Sequence, residues 1–188
     1  MCGRYRFSED SHDAKMLALI RVMERKYPGR YKTGEIFPGD TAPAMLAREG
    51  KILAVPARFG FPGFRDGKLL LNARAETAAE KRLFAESLRE RRIVLPATGF
   101  YEWDSEKTKY LFTAEALPVL YLCGIWRLAE GELSFVILTR GANDSMRPTH
   151  DRMPVIIGEK EVRPYLTDLA AAEEILASAA PTLTRQEA

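Results

Sequence analysis

A cysteine directly follows the initial methionine, and this position gives the residue two reactive groups instead of one. Methionine aminopeptidase removes an initiator when the next residue is small, so we expect Cys2 to lose Met1. Cys2 would then carry a free α-amine and a thiol on adjacent carbons. An α-amine has a reference pKa of about 7.7–8.0, so a useful fraction is neutral at pH 7, whereas a lysine near 10.4 would need strong perturbation. Such an amine adds to an aldehyde as a Schiff base, and the neighbouring thiol can close a five-membered thiazolidine ring.

Three further segments place polar side chains where functional sites commonly lie, at the ends of predicted strands. Residues 72–77 join a predicted strand to a predicted helix, and residues 99–103 hold one carboxylate among three aromatic side chains. Residues 149–154 contain one of the two histidines of the chain and precede a short predicted strand. These segments are the candidates for acid–base groups that would assist Cys2.

Each candidate residue also has an ordinary structural interpretation. Asn72 can cap the helix predicted to begin near Glu76, and Glu102 can be a solvated residue on the outer face of a strand. His150 and its charged neighbours can form a surface ion cluster, which is the commoner role for an arbitrary histidine. Taken singly, none of these residues identifies a function.

The combination is more specific, because the segments together resemble the SRAP family, the SOS response-associated peptidases or abasic-site processing proteins. The matching blocks occur in the family's order and span about residues 2–166. They are residues 2–5, 72–77 and 99–103, Thr139, residues 142–143 and residues 150–154. The resemblance implies an abasic-site sensor that crosslinks to single-stranded DNA through Cys2, with no cofactor. It also implies a peptidase activity that removes Met1 by self-processing.

The chemistry of an N-terminal cysteine fits such a substrate. An abasic deoxyribose equilibrates between a closed hemiacetal and an open aldehyde, and the Cys2 amine can form a Schiff base with the aldehyde. A Schiff base left at this sugar promotes β-elimination and strand cleavage. Closure of the thiazolidine removes the electron sink, so the DNA backbone is protected. An internal cysteine cannot perform this reaction.

The resemblance also assigns roles by position. Glu102 is the expected proton shuttle, with a pKa raised by its aromatic neighbours, and His150 is the expected acid–base group that opens the sugar hemiacetal. Asn72 is expected to hold the Cys2 amine or a sugar oxygen. The residues expected to contact DNA are Arg4, Arg74 and Arg152, as partners of phosphates, and Phe59, as a stacking platform for a base.

Two segments depart from the family pattern. Residues 39–43 read Gly-Asp-Thr-Ala-Pro where the family has Tyr-Asn-Ile/Val-Ala-Pro, and residues 59–62 are one residue shorter than the family's Trp-Gly-Leu-Ile-Pro. Both segments are expected to border the DNA. The changes therefore concern affinity and base preference rather than the covalent chemistry.

The bulk properties are those of an ordinary globular protein. With 188 residues, 46% hydrophobic and 29% charged, the chain suits a single domain over residues 1–188. The net charge of +2 is too small to indicate nucleic-acid binding, although it allows a local basic groove. Cys123 lies in a buried strand pattern and is expected to be a core residue.

The sequence also predicts where the protein acts. We see no apolar run near the roughly 20 residues of a membrane span, no secretory signal and no Cys/His spacing of a metal site. Two cysteines do not form a secreted disulfide scaffold. We therefore expect a cytoplasmic monomer that is nucleoid-associated when bound to DNA.

The elements that must position these residues indicate an α+β domain with flanking helices and a mostly antiparallel β-sheet that could close in a barrel-like form. Predicted helices cover residues 13–27, capped by Asp10 or Ser11, and residues 76–91 and 169–179, the last with Ala172, Ile175, Leu176 and Ala179 inward. Predicted strands cover residues 52–55, 69–71, 93–95, 110–115, 119–128, 133–139 and 153–157, with a hairpin at Glu130 and Gly131. Residues 34–44 and 59–64 are predicted to be loops, and the tail after Pro181 is predicted to fray.

Two other functions remain open at this level. N-terminal-nucleophile glutamine amidotransferases also begin Met-Cys-Gly, but they continue with an apolar strand where this chain has Arg4-Tyr5-Arg6. A non-catalytic module that binds single-stranded nucleic acid would also use aromatic residues interleaved with arginines. Glutaminase activity would indicate the first, and binding that survives loss of Cys2 would indicate the second.

Overall fold

A computed structural model describes residues 2–9, 13–63 and 67–188. The strands are β1 (Arg4–Phe7), β2 (Gly34–Ile36), β3 (Thr41–Arg48), β4 (Lys51–Phe59), β5 (Phe61–Pro62), β6 (Leu69–Leu70), β7 (Asn72–Arg74), β8 (Arg92–Ala97), β9 (Gly99–Trp103), β10 (Lys109–Thr113), β11 (Leu120–Ala129), β12 (Glu132–Gly141), β13 (Arg152–Pro154), β14 (Ile156–Ile157) and β15 (Thr184–Glu187). The helices are α1 (Ala14–Lys26), α2 (Ala75–Ala78), α3 (Ala85–Glu90), α4 (Glu159–Thr167) and α5 (Leu169–Ala177).

Five strands close into a small barrel in the order β12-β4-β3-β8-β11, and β11 pairs back onto β12. Every ladder of the barrel is antiparallel except the short parallel contact between β12 and β4. Apolar residues of β8, β11 and β12 fill its interior. The predicted α+β class, the antiparallel sheet and the barrel-like closure are confirmed.

A second sheet, in the order β15-β10-β9-β1-β2, packs against the barrel. Tyr5 of β1 meets Phe59 of β4 edge-to-face with ring centroids 5.9 Å apart, and Phe100 stacks on Phe112 at 5.2 Å. All four rings are buried. Their packing fixes the start of β1 against the end of β9, where the candidate residues lie.

Several predicted elements are confirmed, with small shifts of their ends. Helix α1 buries Met16, Ile20 and Met23, as its spacing predicts. Its N-cap is Asp13, whose side chain accepts hydrogen bonds from two backbone N–H groups. The prediction of Asp10 or Ser11 as the cap was therefore wrong, and these two residues lie outside the described part of the chain. The hairpin between β11 and β12 forms at Glu130 and Gly131, which both have positive φ, as a tight two-residue turn requires.

The single helix predicted over residues 76–91 is wrong, because the chain forms α2 and α3 with a turn between them. In one straight helix Ala78 and Phe84 would lie about 120° apart around the axis. Both are buried in the structure, and the break allows it. Phe84 reaches the Phe61 ring, with centroids 6.4 Å apart.

The loops predicted over residues 34–44 and 59–64 contain strands instead. Residues 34–36 form β2 on β1, and residues from Thr41 onward form β3 on β4, with Pro43 opposite Pro56. Phe59 ends β4 and residues 61–62 form β5, while Phe64 lies outside the described residues. Pairing with other strands holds these segments in β-structure, although their Gly and Pro content is typical of loops.

The C-terminal part also differs from the prediction. Helix α4 was not predicted, because its charges and Pro164 hide its buried residues. Ala179 is exposed, so the predicted inward position is wrong, whereas Ala172 and Ile175 are buried. The segment after Pro181 does not fray but forms β15 on β10. Among the described residues, no helix is long and apolar enough to cross a membrane.

Candidate functional site

Cys2 lies just before β1, which is an inner strand of the second sheet, and its side chain is fully buried. In the antiparallel ladder of β1 and β9, Arg4 lies opposite Tyr101, so the residues that precede Arg4 run toward Glu102 and Trp103. Burial, and then the charge of Glu102, raise the pKa of the Cys2 thiol far above its ordinary value. The thiol is therefore held protonated, and it needs a base before it can act as a nucleophile.

Glu102, whose charge acts on this thiol, lies on β9 with only 3% of its surface exposed. It is therefore not the solvated outer-face residue of the alternative interpretation. Burial raises the pKa of the Glu102 carboxyl, while its interaction with His150 acts in the opposite direction. The carboxyl thus interacts electrostatically with both Cys2 and His150.

Asn72 begins β7, which lies parallel to β12 with Asn72 opposite Ile137. It does not cap α2, whose N-cap position is Arg74. Its side-chain oxygen is buried and takes no hydrogen bond from any residue in the described part of the chain. A buried acceptor without a donor is costly, and a ligand that brings an N–H or O–H group relieves this cost.

His150 lies in the loop between β12 and β13, and its Nδ1 atom has two close neighbours. The backbone N–H of Arg152 donates to Nδ1 at 2.9 Å, and Asp151 Oδ1 lies 2.9 Å from the same atom. In the neutral ring the first contact places the proton on Nε2.

Arg152 joins the segment that contains Asn72 to the segment that contains His150. Its guanidinium makes two bonds to Glu76, with Nη1–Oε1 at 2.6 Å and Nη2–Oε2 at 2.8 Å, and it donates to the Thr139 carbonyl at 2.7 Å. The hydrogen bonds from Arg152 lower the pKa of Glu76 to about 2. The Arg152 side chain is 13% exposed. This guanidinium therefore binds protein groups, and the expected phosphate contact is not free to form in this structure.

The other two arginines expected to contact DNA lie at the surface. Arg74 is exposed at the end of β7. The Arg4 guanidinium stacks over the Phe37 and Trp103 rings, 4.3 Å and 5.0 Å from their centroids, and donates to Glu35 at 3.2 Å. Both positions suit contacts with a strand that enters toward Cys2.

Sequence reasoning missed one member of this surface. Lys109 donates to the second oxygen of Glu35 at 2.9 Å and lies over the Tyr101 ring, 4.1 Å from its centroid. Glu35 therefore holds Arg4 and Lys109 together on the outer face of the sheet. The pairing of Lys109 with Trp103 across β10 and β9 creates this cluster, and no spacing in the sequence predicts that register.

Phe59 does not form the stacking platform that the resemblance implied. Its ring is fully buried and lies parallel to Phe135, with centroids 5.1 Å apart and planes 5° apart. No face of the ring is open to a nucleic-acid base, so this expectation is wrong.

No group of three or more His, Cys, Asp or Glu side chains within residues 2–9, 13–63 and 67–188 could hold a metal ion. The side-chain oxygens of Tyr5 and Thr77 are, like that of Asn72, buried without a hydrogen-bond partner among the described residues. The described site residues supply a thiol, a carboxyl, an imidazole and neutral hydrogen-bonding groups.

Comparison with known proteins places this geometry in a family. The sequence model described as SOS response associated peptidase (SRAP) matches residues 1–187. The abasic site processing protein YedK of Escherichia coli is 28% identical over an alignment of 188 positions, gaps included, that covers 93% of this chain and 83% of YedK. The abasic site processing protein YoqW of Bacillus subtilis is 34% identical over 88% of this chain and 80% of its own length.

Solved structures share the fold. A crystal structure of a protein from Bacteroides thetaiotaomicron superposes with a TM-score of 0.78 at 20% identity and covers 99% of this chain and 91% of its own. A phage-related protein from Bordetella bronchiseptica superposes with a TM-score of 0.75 at 22% identity over 100% of this chain and 94% of its own. At these identities the likeness shows a shared architecture.

Proposed function

Because this chain belongs to the SOS response-associated peptidase (SRAP) family, we propose that it processes abasic sites in damaged DNA by forming a covalent bond to them. The abasic-site names of its relatives, YedK and YoqW, support the choice of lesion. The observation that carries the proposal is the burial of Cys2 beside the buried carboxyl of Glu102. The partner is single-stranded DNA, in which the lesion sugar can reach a buried chain end, and the protein acts as a cytoplasmic monomer.

The reaction begins with the α-amine that Cys2 carries after Met1 is removed. The amine nitrogen attacks the aldehyde carbon of the open sugar, and the carbinolamine loses one water to give an imine. The thiol then adds across the C=N bond, so that sulfur bonds to carbon and the nitrogen gains a proton. The product is a thiazolidine, and the balance is one water lost for one ring formed.

Glu102 supplies the proton transfers of this sequence. Protonated, it donates to the hydroxyl of the carbinolamine, which leaves as water, and ionised, it takes the proton of the Cys2 thiol. Burial raises the pKa of Glu102, which favours the protonated form that donates to the carbinolamine. The same burial keeps bulk water away from the imine.

His150 acts earlier, on the closed form of the sugar. It takes the proton of the anomeric hydroxyl and returns a proton to the ring oxygen as the bond from that oxygen to the anomeric carbon breaks, so the sugar opens to the aldehyde with no net change in protons. The unpartnered oxygen of Asn72 accepts a hydrogen bond from the Cys2 amine or from a sugar hydroxyl. These groups orient the reactants, and the thiazolidine then prevents β-elimination.

The peptidase activity of the family name is a second part of the proposal. The bond between Met1 and Cys2 would lie beside the same thiol and carboxyl, so self-processing would expose the amine that the crosslink needs. This part is independent of the first, because an aminopeptidase can produce the same mature chain end.

The decisive experiment is denaturing electrophoresis after incubation with a single-stranded oligonucleotide that carries one abasic site. The chain offers a matched control, because Cys2 and Cys123 are both fully buried. We expect Cys2→Ser to abolish the stable adduct and Cys123→Ser to leave it nearly unchanged. An adduct that depends on Cys123, or glutaminase activity without an adduct, would overturn the proposal.

A further inference from the structure

The segment from Pro181 to Glu187 plays no part in the chemistry above, yet it is attached to the loop that carries His150. Strand β15 adds to the edge of the second sheet beside β10, with Arg185 opposite Phe112. The Arg185 guanidinium lies over the Tyr110 ring, 4.6 Å from its centroid. It donates from Nη1 to Thr149 Oγ1 at 2.6 Å, and Thr149 directly precedes His150.

Two more hydrogen bonds attach the start of the same loop. Asn143 Nδ2 donates to the Pro181 carbonyl at 2.8 Å, and the Leu183 N–H donates to Ser145 Oγ at 3.0 Å. Leu183 is buried, and Ser145 Oγ also donates to Asn143 Oδ1 at 2.7 Å. The loop is therefore attached to this segment at its beginning and again just before the histidine.

Between these points the loop has hydrogen bonds of its own. The N–H groups of Met146 and Arg147 donate to the Asn143 carbonyl, and those of Thr149 and His150 donate to the Met146 carbonyl at 2.9 Å and 3.1 Å. Arg185 adds a side-chain contact at Thr149, directly before the histidine. On the far side of His150, Arg152 is fixed by Glu76. His150 thus lies between two arginine anchors, and Arg185 is the one that the proposed chemistry does not explain.

We propose that Arg185 is a positioning residue for His150 and acts through Thr149. This proposal rests on the proposed function, because it assumes that His150 opens the sugar ring. An acid–base group must stay within hydrogen-bond distance of the oxygen that it serves. A shift of about 1 Å in such a group can lower a rate by up to roughly a hundredfold. Since the loop keeps its other contacts, we expect a smaller loss, of roughly tenfold.

The test compares Arg185→Ala with a control on the same strand. Thr184 is also exposed, but its hydroxyl contacts Thr113 Oγ1 at 3.0 Å on β10 and does not reach the loop. Thr184→Val therefore perturbs β15 without releasing His150. Crosslinking rates are measured on a natural abasic site, which cyclises, and on an oligonucleotide with an aldehyde that cannot cyclise. Thermal melts and amide hydrogen exchange of residues 142–150 accompany them.

We expect Arg185→Ala to slow the reaction roughly tenfold on the cyclic sugar and less than about twofold on the acyclic aldehyde. Exchange in residues 142–150 should become faster, and Thr184→Val should change neither quantity. Thr149→Val should slow the reaction on the cyclic sugar to a similar extent. The double variant should be no slower than Arg185→Ala alone, because the two substitutions remove the same contact. Arg185→Lys keeps a donor and should restore part of the rate.

Two results would overturn the positioning role. One is a wild-type rate for Arg185→Ala on the natural site. The other is an equal loss on both aldehydes, which indicates a general structural defect, above all if Thr184→Val shares it. If the wild-type protein forms no Cys2-dependent adduct, the proposed function fails and this proposal fails with it, so the two failures are distinguishable.

Discussion

Arg152 and Glu76 form a two-point ion pair, with bonds of 2.6 Å and 2.8 Å, and it joins two segments that are far apart in the sequence. Glu76 also accepts the Gly141 N–H at 3.2 Å, so the end of β12 belongs to the same network. The pair fixes β7, which carries Asn72, relative to the loop of His150. Glu76 and Arg152, which both belong to the matching sequence blocks, therefore hold the site residues in position and do not supply chemistry.

The pair predicts a specific response to acid. The pKa of Glu76 is lowered to about 2 by its bonds to Arg152, below the 4.5 of an unperturbed group. A lowered folded-state pKa stabilises the protein above about pH 4.5, and this contribution is lost as the pH falls from 4.5 toward 2. Because the Glu76 side chain is 49% exposed, solvent screening makes the effect smaller than the pKa shift alone implies.

Glu76→Gln should therefore melt at a lower temperature than wild type at pH 7, and the difference should shrink between pH 4.5 and pH 2. Glu132→Gln is the control, since Glu132 pairs only at 3.8 Å with Arg58 on the barrel. Thermal melting across this pH range measures both variants. Parallel curves for wild type and Glu76→Gln would show that the ion pair does not contribute.

A second prediction concerns the chain end. An amide nitrogen cannot form an imine, so protein that retains Met1 should not crosslink, whereas the mature form should. Intact-mass measurement identifies the two species, and acetylation of the exposed amine gives the matched inactive form. Crosslinking at the full rate by the Met1-retaining species would eliminate the α-amine as the nucleophile.

A third prediction follows from Glu35, whose two oxygens bind Arg4 at 3.2 Å and Lys109 at 2.9 Å. This carboxylate competes with DNA phosphates for both cations. Glu35→Gln should bind an undamaged single strand about three- to tenfold more tightly, since the freed cations gain phosphate partners. Fluorescence anisotropy measures the affinity, and Glu132→Gln removes a carboxylate elsewhere as the control.

The salt dependence tests the same idea. With a net charge of +2, the wild-type protein should show a shallow slope of log affinity against log salt. Each cation freed by Glu35→Gln should steepen it by about 0.7, the value for one phosphate of a single strand. A wild-type slope that implies ten or more phosphates, or an unchanged slope in the variant, would contradict this description of the surface.

The sequence predicts the α+β class and about half of the strands, because runs of apolar residues determine strands such as β8, β11 and β12 locally. It does not predict β2, β3 or β15. These strands are held by partners distant in the sequence, such as β1 for β2 and β10 for β15. The split of the predicted helix into α2 and α3 likewise depends on where Phe84 finds space in the core.

For the site, residue types predict the available chemistry better than they predict the contacts of each side chain. In the structure both Cys2 and His150 interact electrostatically with Glu102. The expected DNA contacts are less well predicted, since Phe59 is buried and Arg152 is bound to protein. Whether an aromatic or basic side chain faces solvent depends on register, which no spacing reveals.

The last prediction separates the two acid–base groups. Glu102→Gln keeps the size of the side chain but cannot exchange protons, so it should slow crosslinking by about 10²–10⁴-fold with little loss of binding. It should do so on every aldehyde, because Glu102 serves the imine and the ring closure. His150→Ala should slow crosslinking to the natural abasic site. It should slow crosslinking to an aldehyde that cannot cyclise much less, since no sugar ring then needs opening. If the two residues only support the fold, both variants should melt at lower temperature and lose activity equally on every substrate. Rates on the two aldehydes, measured beside thermal melts, distinguish these cases. Variants that melt normally and crosslink at the wild-type rate would show that neither residue takes part in the reaction.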